Sequence, residues 1–268
     1  MKPSRCHAKI FDRRAAGPPI QIDGPVAFTD MTDGPAPATL QRMKCLVTAG
    51  PTYEPLDEVR RLTNFSTGTL GAELATHLTG EGHEVVLLIG YYAIYGGNPQ
   101  ARNVETFTTT ADLGKRLQTL SAEGIDAVFH AAAVNDFTFG AVWERAESGD
   151  LNRCVERKIS TRKGVLLAEL KPTPKIIGEL RGWFPRACLV GWKYELDGDR
   201  VGAIQKAQGQ IATNRTNACV VNGAAYGDGF GLVTGGGPCA HLADAPVLYR
   251  ALAGLLQSRA GLAASSDQ

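Results

Sequence analysis

The sequence has almost no net charge: 28 Lys and Arg stand against 27 Asp and Glu in 268 residues. With no electrostatic excess to neutralise a polyanion, a general nucleic-acid partner is disfavoured. No run approaches the roughly 18 apolar residues of a membrane span, and the N-terminal residues lack the apolar core of a secretory signal, so the expected address is cytoplasmic, with no membrane partner. The six cysteines (Cys6, Cys45, Cys154, Cys188, Cys219, Cys239) contain no C-x-x-C pair and the five histidines no H-x-x-x-H. Zinc is therefore not indicated, and Cys45, Cys188 and Cys219, set in apolar runs, read as reduced core thiols. Also absent are G-x-G-x-x-G, G-x-x-x-x-G-K-[ST] and any tyrosine followed four residues later by lysine. These absences remove the dinucleotide fingerprint, the P-loop and the Tyr/Lys pair of short-chain dehydrogenases.

Glycine, by contrast, is plentiful: 31 residues, above the average usage of about 7%, many at the ends of apolar runs. Residues 1–42 hold six of the 14 prolines and no sustained apolar period. They read as a disordered extension, with Met43 an alternative start. From 43 to 260 short β-type runs alternate with helical patterns. Strands are expected at Lys44–Thr48, Val85–Ile89, Ala127–His130, Ala187–Gly191 and Ala218–Val221, and helices at Thr69–Leu78, Ala111–Leu120, Pro174–Trp183, Arg200–Ala212 and Ala245–Ser258. Residues 261–268 read as a frayed tail. The alternation predicts an α/β, Rossmann-like, doubly wound domain with a mainly parallel sheet. Thr109 with Asp112 resembles a capping box, and Thr173-Pro174 offers an N-cap followed by proline in the first turn. Between Val134 and Lys171 the pattern loosens into a densely charged stretch that includes Glu144, Arg145, Arg157, Lys158 and Lys163. It reads as a solvated arm, or as a flap closing on a charged ligand or a partner subunit.

In an open parallel sheet ligands bind beyond the carboxyl ends of the strands, and three such ends stand out. The first strand runs into a connection far longer than the roughly 2–6 residues usual there. It ends in Asn64-Phe-Ser-Thr-Gly68-Thr-Leu-Gly71, an amide, hydroxyls and glycines at a helix N-terminus, where free N–H groups favour a phosphate. The alternative is that Ser66 or Thr67 only caps the helix while Gly68 and Gly71 permit close packing. After His130 comes Ala131-Ala-Ala-Val-Asn135-Asp136, where small residues admit a flat ring and Asp136 can accept hydrogen bonds or hold a cation; a plain Asx turn is the alternative. Trp192, followed by Lys193-Tyr194-Glu195, can stack on a base or be an ordinary partly buried tryptophan. His130 reads as a satisfied buried imidazole rather than a general base.

Taken together, Thr48-Ala-Gly-Pro-Thr-Tyr-Glu-Pro through Gly71, Ala132-Ala-Val-Asn-Asp136-Phe137, Arg157-Lys158-Ile159, Leu170-Lys-Pro-Thr-Pro174, Val190-Gly-Trp-Lys-Tyr-Glu195 and Ala218-Cys-Val-Val-Asn222 resemble, in order, the phosphopantothenoylcysteine synthetase family in its stand-alone form. The resemblance implies a ligase that activates the carboxylate of 4'-phosphopantothenate as an acyl-nucleotide, using CTP or ATP with Mg2+, and couples it to L-cysteine. Flavin is not implied, and a homodimer is. Residue by residue, it implies Asn64 and the flap residue Lys158 as catalytic. Gly50, Ser66, Thr67, Gly68, Ala132, Asp136, Trp192, Arg215 and Asn222 are implied as nucleotide-binding, with Asp136 also facing the metal. Gln210 and Asn214 stand where the family carries lysines that help hold the triphosphate, and only Arg215 and Lys206 are near. This departure motivates an alternative, a non-catalytic nucleotide-binding sensor; an NAD(P)-dependent oxidoreductase is the remoter one.

Overall fold

The computed structural model describes residues 41–160 and 164–266, with side chains of the last helix to Gln257. The chain divides into Met1–Thr39 and Leu40–Gln268; the first of these, and nearly all of the extension expected over 1–42, lies outside the described residues. In chain order the elements are β1 (Lys44–Ala49), β2 (Tyr53–Pro55), β3 (Arg61–Thr63), α1 (Thr69–Gly80), β4 (Glu84–Gly90), β5 (Asn103–Phe107), α2 (Thr110–Leu120), β6 (Ala127–His130), β7 (Phe137–Arg145), β8 (Leu151–Cys154) and β9 (Val165–Pro172). They continue with α3 (Ile176–Trp183), β10 (Cys188–Tyr194), α4 (Arg200–Asn214), β11 (Ala218–Asn222), β12 (Phe230–Thr234), β13 (Ala240–Leu242) and α5 (Ala245–Ser266).

The main sheet has eight strands in the order β13-β12-β11-β10-β6-β1-β4-β5. From β11 to β5 every neighbour is parallel, and β12 and β13 add an antiparallel edge. The apolar strands are continuous rather than alternating because both faces are covered. Val47, Leu87, Phe129 and Val190 point toward α1 and α5, whereas Leu46, Leu88, Val128 and Leu189 point toward α2 and α3. Cys219 and Val221 meet α4. Each such side chain, fully buried, contributes roughly 1.5–3 kcal/mol. Gly71 lets α1 lie against β1, since a Cβ there would come within 2.6 Å of Ala49 Cβ.

The doubly wound architecture is thus the observed one, and its topology makes the site. The chain goes from β1 outward to β4 and β5, then returns to the other side of β1 as β6. The carboxyl ends of β1 and β6 therefore diverge at a switch point, where such sheets open a crevice. The two connections leaving it are joined: Thr52 N–H donates to the Ala133 carbonyl at 3.1 Å and Ala133 N–H to the Gly50 carbonyl at 3.0 Å.

Some local expectations needed correction. The charged stretch forms a three-stranded antiparallel sheet, β8-β7-β9, separate from the main one. Its strands expose Leu151, Val165 and Leu170 among charged neighbours, so no clean period of two marks them. Helix α3 begins at Ile176, with Lys175 at the cap and no side-chain cap bond. Thr173, expected to cap it, instead donates its hydroxyl to the Asn135 carbonyl. At α2 the expected cap is present, with Thr109 Oγ1 accepting from Asp112 N–H at 3.2 Å, but Asp112 reaches back to Thr108 N–H, at 2.8 Å. Helix α5 extends past Ser258 to Ser266. The short strands β2, β3, β5, β12 and β13 carried too little periodicity to be foreseen.

Candidate functional site

A cavity of about 1130 Å³ opens over the carboxyl ends of β6, β10 and β11, beside the turn into α1. Four groups of residues wall it. The turn into α1 supplies Asn64, Phe65, Ser66 and Thr67; the connection after β6 supplies His130 to Asp136; the ends of β10 and β11 supply Trp192, Lys193, Tyr194 and Asn222. The start of α3 and the inner face of α4 close it with Lys175, Ile176, Lys206, Gln210 and Asn214.

Of the residues singled out from sequence, Asn64, Ser66, Thr67, Ala132, Asp136, Trp192 and Asn222 meet in this lining. The Asn64 amide donates to the Ala133 carbonyl at 3.1 Å, bridging the two connections at the switch point. Thr67 Oγ1 lies 2.8 Å from Thr69 Oγ1, and the cap position of α1 is Gly68, at φ 80°, with no side-chain cap bond. Thr67 Oγ1 accepts from the Thr69 N–H at 3.3 Å, which leaves the Leu70 and Gly71 N–H groups of the first turn without a side-chain partner among the described residues, the condition for holding an anion. Gly50 and Gly68 stand behind the lining: both have positive φ, and a Cβ on either would come within 3.0 Å or less of Ala93 Cβ. Their role is to let the strand-end turn and the helix start approach one another.

Arg215 does not line the cavity. It terminates α4 in the left-handed conformation at φ 53°, and its carbonyl accepts from Arg181 Nε at 3.0 Å. Lys158 also lies outside, on an exposed segment whose flanks are pinned. Ile159 N–H donates to Asp57 Oδ2 at 3.1 Å, Glu58 N–H donates to the Arg157 carbonyl at 3.0 Å, and Arg157 pairs with Glu58. Desolvation works against the Asp57 carboxylate, but the N–H groups of Val59, Ile159 and Arg60 and the Arg60 guanidinium outweigh it and hold its pKa below the usual range. This carboxylate ties the Lys158 segment to the β2–β3 turn.

Gln210 and Asn214 have charged neighbours that sequence alone did not assemble. Those two amides do line the cavity, and around them stand Lys175, Lys193 and Lys206. Lys206 and Lys193 converge on the two oxygens of Glu195, with Lys193 at 3.1 Å, while Lys175 pairs with Asp136. Glu195 is buried and its backbone is tied to the end of β11 through the Asn222 carbonyl at 2.9 Å. The hydrogen bond from Lys206 leads the effects that keep its carboxyl below the ordinary range, against the opposing pull of burial. Three ammonium groups against two carboxylates leave this rim cationic. Lys175 directly follows the Leu170-Lys-Pro-Thr-Pro174 motif, which was the one sequence signal available for it.

Asn135 was missed as an organiser. Buried at 3% exposure, it accepts from Thr173 and donates through Nδ2 to the Leu62 carbonyl at 3.1 Å, while its N–H donates to Thr52 Oγ1 at 2.8 Å. It is therefore a clasp between three connections rather than a simple Asx turn. Trp192 packs on the core, its Nε1–H buried without a partner among the described residues. No cluster of three or more His, Cys, Asp or Glu suited to a metal occurs among the described residues. A lone carboxylate such as Asp136 suits Mg2+, which keeps waters and takes most of its ligands from substrate phosphates.

Residues 40–235 match the family described as DNA/pantothenate metabolism flavoprotein C-terminal domain. The chain is 30% identical over 186 residues to the coenzyme A biosynthesis bifunctional protein CoaBC of Thermococcus kodakarensis, covering 69% of this chain and 42% of that protein. It thus spans less than half the length of this curated relative. The solved DNA/pantothenate metabolism flavoprotein from Streptococcus pneumoniae superposes with a TM-score of 0.69 at 25% identity, covering 81% of this chain and 99% of that one. A Cab2 mutant in complex with phosphopantothenate-cysteine shares the fold, with a TM-score of 0.64 at 18% identity over 84% of this chain and 89% of that one. With residues 40–235 matched, the chain belongs to the DNA/pantothenate metabolism flavoprotein C-terminal domain family.

Proposed function

We propose that the cavity is the active site of a phosphopantothenate–cysteine ligase. The observation that carries this reading is the meeting of the Asn64–Thr67 turn, the Ala131–Asp136 connection and the Trp192 and Asn222 strand ends around one space of about 1130 Å³. Typical single-ligand pockets run to about 300–1,000 Å³, so this one has room for a nucleotide beside a second phosphorylated substrate. Support also comes from the relatives named for coenzyme A biosynthesis and from a fold neighbour solved with phosphopantothenate-cysteine.

The chemistry needs a poor acyl donor to be activated. A carboxylate oxygen of 4'-phosphopantothenate attacks the α-phosphorus of CTP or ATP, and the bond to pyrophosphate breaks. The cysteine amine then attacks the acyl carbon, loses a proton, and expels the nucleoside monophosphate. In this reading the α1 N-terminus with Ser66 and Thr67 takes phosphate oxygens, and Lys206, Lys193 and Lys175 offset the charge of two anions brought together. Asn64 orients the acyl group, and Lys158 reaches the site once its flap releases the bonds that hold Arg157 and Ile159 to Glu58 and Asp57. Mg2+, held by the phosphates and by Asp136 once Lys175 yields, would supply charge neutralisation. We further propose a homodimer, using the apolar residues that the β7–β9 sheet leaves exposed, and a cytoplasmic address; no helix among the described residues is long and apolar enough to cross a membrane.

Incubation with Mg2+, 4'-phosphopantothenate, cysteine and either nucleotide should release pyrophosphate and CMP or AMP. Gln210 and Asn214 in place of lysines favour the sensor as second reading: it predicts nucleotide binding without turnover. Failure of both nucleotides to bind would sink both readings.

A further inference from the structure

His130 ends β6 between Thr48 of β1 and Gly191 of β10, its register partners on the two sides. It is 5% exposed, and it is among the residues lining the cavity. Nδ1 lies 2.8 Å from Thr48 Oγ1, and that oxygen also accepts the Ala132 N–H at 3.2 Å. A threonine hydroxyl has one hydrogen to give. Among the described residues the acceptor within its reach is Nδ1, so the hydroxyl donates there and the ring hydrogen resides on Nε2. Nε2 has no protein partner among the described residues. Burial pushes the ring's pKa down to about 4, so at neutral pH it is uncharged. What remains is a fixed, neutral N–H donor at the wall of the cavity.

Ile176, Ile177, Gln210 and Asn214 line the same cavity as His130. Gly191 lets the Gln210 and Ile177 side chains pack directly onto β10: a Cβ there would sit 2.5 Å from Gln210 Nε2 and 2.7 Å from Ile177 Cδ1. Two amides and a neutral imidazole suit an uncharged heteroaromatic edge, and the Trp192 ring packs on the other face of β10. Phosphates are drawn instead to the α1 N-terminus and the lysines.

We propose that His130 is a specificity-determining residue of this site, donating its Nε2–H to an acceptor atom of the nucleobase, with Thr48 fixing the tautomer. This rests on the ligase reading only in taking a nucleoside triphosphate as the occupant.

The test is nitrogen-15 NMR of the His130 ring in the full chain, with CTP, ATP and 4'-phosphopantothenate added one at a time, beside calorimetry on His130→Gln and His130→Leu. The free protein should carry its ring hydrogen on Nε2 and show no titration between roughly pH 6 and 8. The Nε2–H signal should move with the nucleotide that binds. His130→Leu should weaken that nucleotide roughly ten- to a hundredfold and leave phosphopantothenate affinity unchanged, while His130→Gln, which keeps a donor near Nε2, retains most of it. A hydrogen on Nδ1, a bound nucleotide that leaves Nε2–H unmoved, or equal weakening of phosphopantothenate overturns the proposal. If wild type binds neither nucleotide, the ligase reading itself has failed. Should His130→Leu not fold, the wild-type spectra still decide.

Discussion

Replacing Asn135 by alanine tests whether the two connections at the switch point work as one unit. The substitution removes the Nδ2 bonds to the Leu62 carbonyl at 3.1 Å and the Thr52 carbonyl at 3.4 Å. It leaves the backbone bonds to Thr52 Oγ1 and Thr173 in place. Thr52's carbonyl keeps the Thr63 hydroxyl at 2.9 Å, so only one strong bond and one long one are lost. At about 0.5–1.5 kcal/mol for each, the cost is about 1–3 kcal/mol, or a fall in Tm of roughly 2–12 °C for a domain of this size. Because Leu62 leads directly into Asn64–Thr67, nucleotide affinity should fall as well. Thermal unfolding and calorimetric titration with CTP and ATP read both effects. Asn135→Asp sharpens the test, since its carboxylate would face two carbonyl oxygens. Its native pKa would be raised, so its stability would be intact in acid and lost as pH rises through that native value. An Asn135→Ala variant with unchanged Tm and unchanged affinity would refute the clasp.

Gly71→Val should cost about 2–3 kcal/mol in urea unfolding, because even a Cβ there meets Ala49 Cβ at 2.6 Å and the Thr48 carbonyl at 3.1 Å; a neutral result would mean α1 can lift from β1 freely. The Glu195 carboxyl, held low first by Lys206, contributes stability above the ordinary glutamate range and loses it as pH falls through its depressed native pKa. The Tm gap between wild type and Glu195→Gln should therefore be widest near neutrality and close in acid, and a gap independent of pH would remove the ion-pair account. Lys206→Ala should weaken nucleotide binding roughly tenfold at low salt, with the difference shrinking as salt rises; a salt-independent loss would point to lost packing instead.

The helices and the long apolar strands were legible because their signals are local. Thr109 with Asp112 predicted a cap bond that is present, and Cys45–Thr48 read as a buried parallel strand because both of its faces are apolar. Where the signal was shared between distant segments, reading along the chain failed. Thr173 looks like a helix cap by its proline neighbour, yet the Asn135 carbonyl, 38 residues earlier, competes for its hydroxyl and wins. The β7–β9 sheet hid behind its charges, since strands that leave apolar residues in solvent do not alternate cleanly.

The sequence by itself determined that this is a charge-balanced α/β protein with a specific strand-end turn at Asn64–Gly71, because propensity, periodicity and motif order are properties of neighbours in the chain. Only the tertiary structure decided who stands around the cavity. Strand order brings His130 beside Thr48, 82 residues apart, and packing sets Lys175, Lys193 and Lys206 around Gln210 and Asn214 while turning Arg215 away. Those placements follow from which strand pairs with which and from burial, neither of which the order of residues encodes locally.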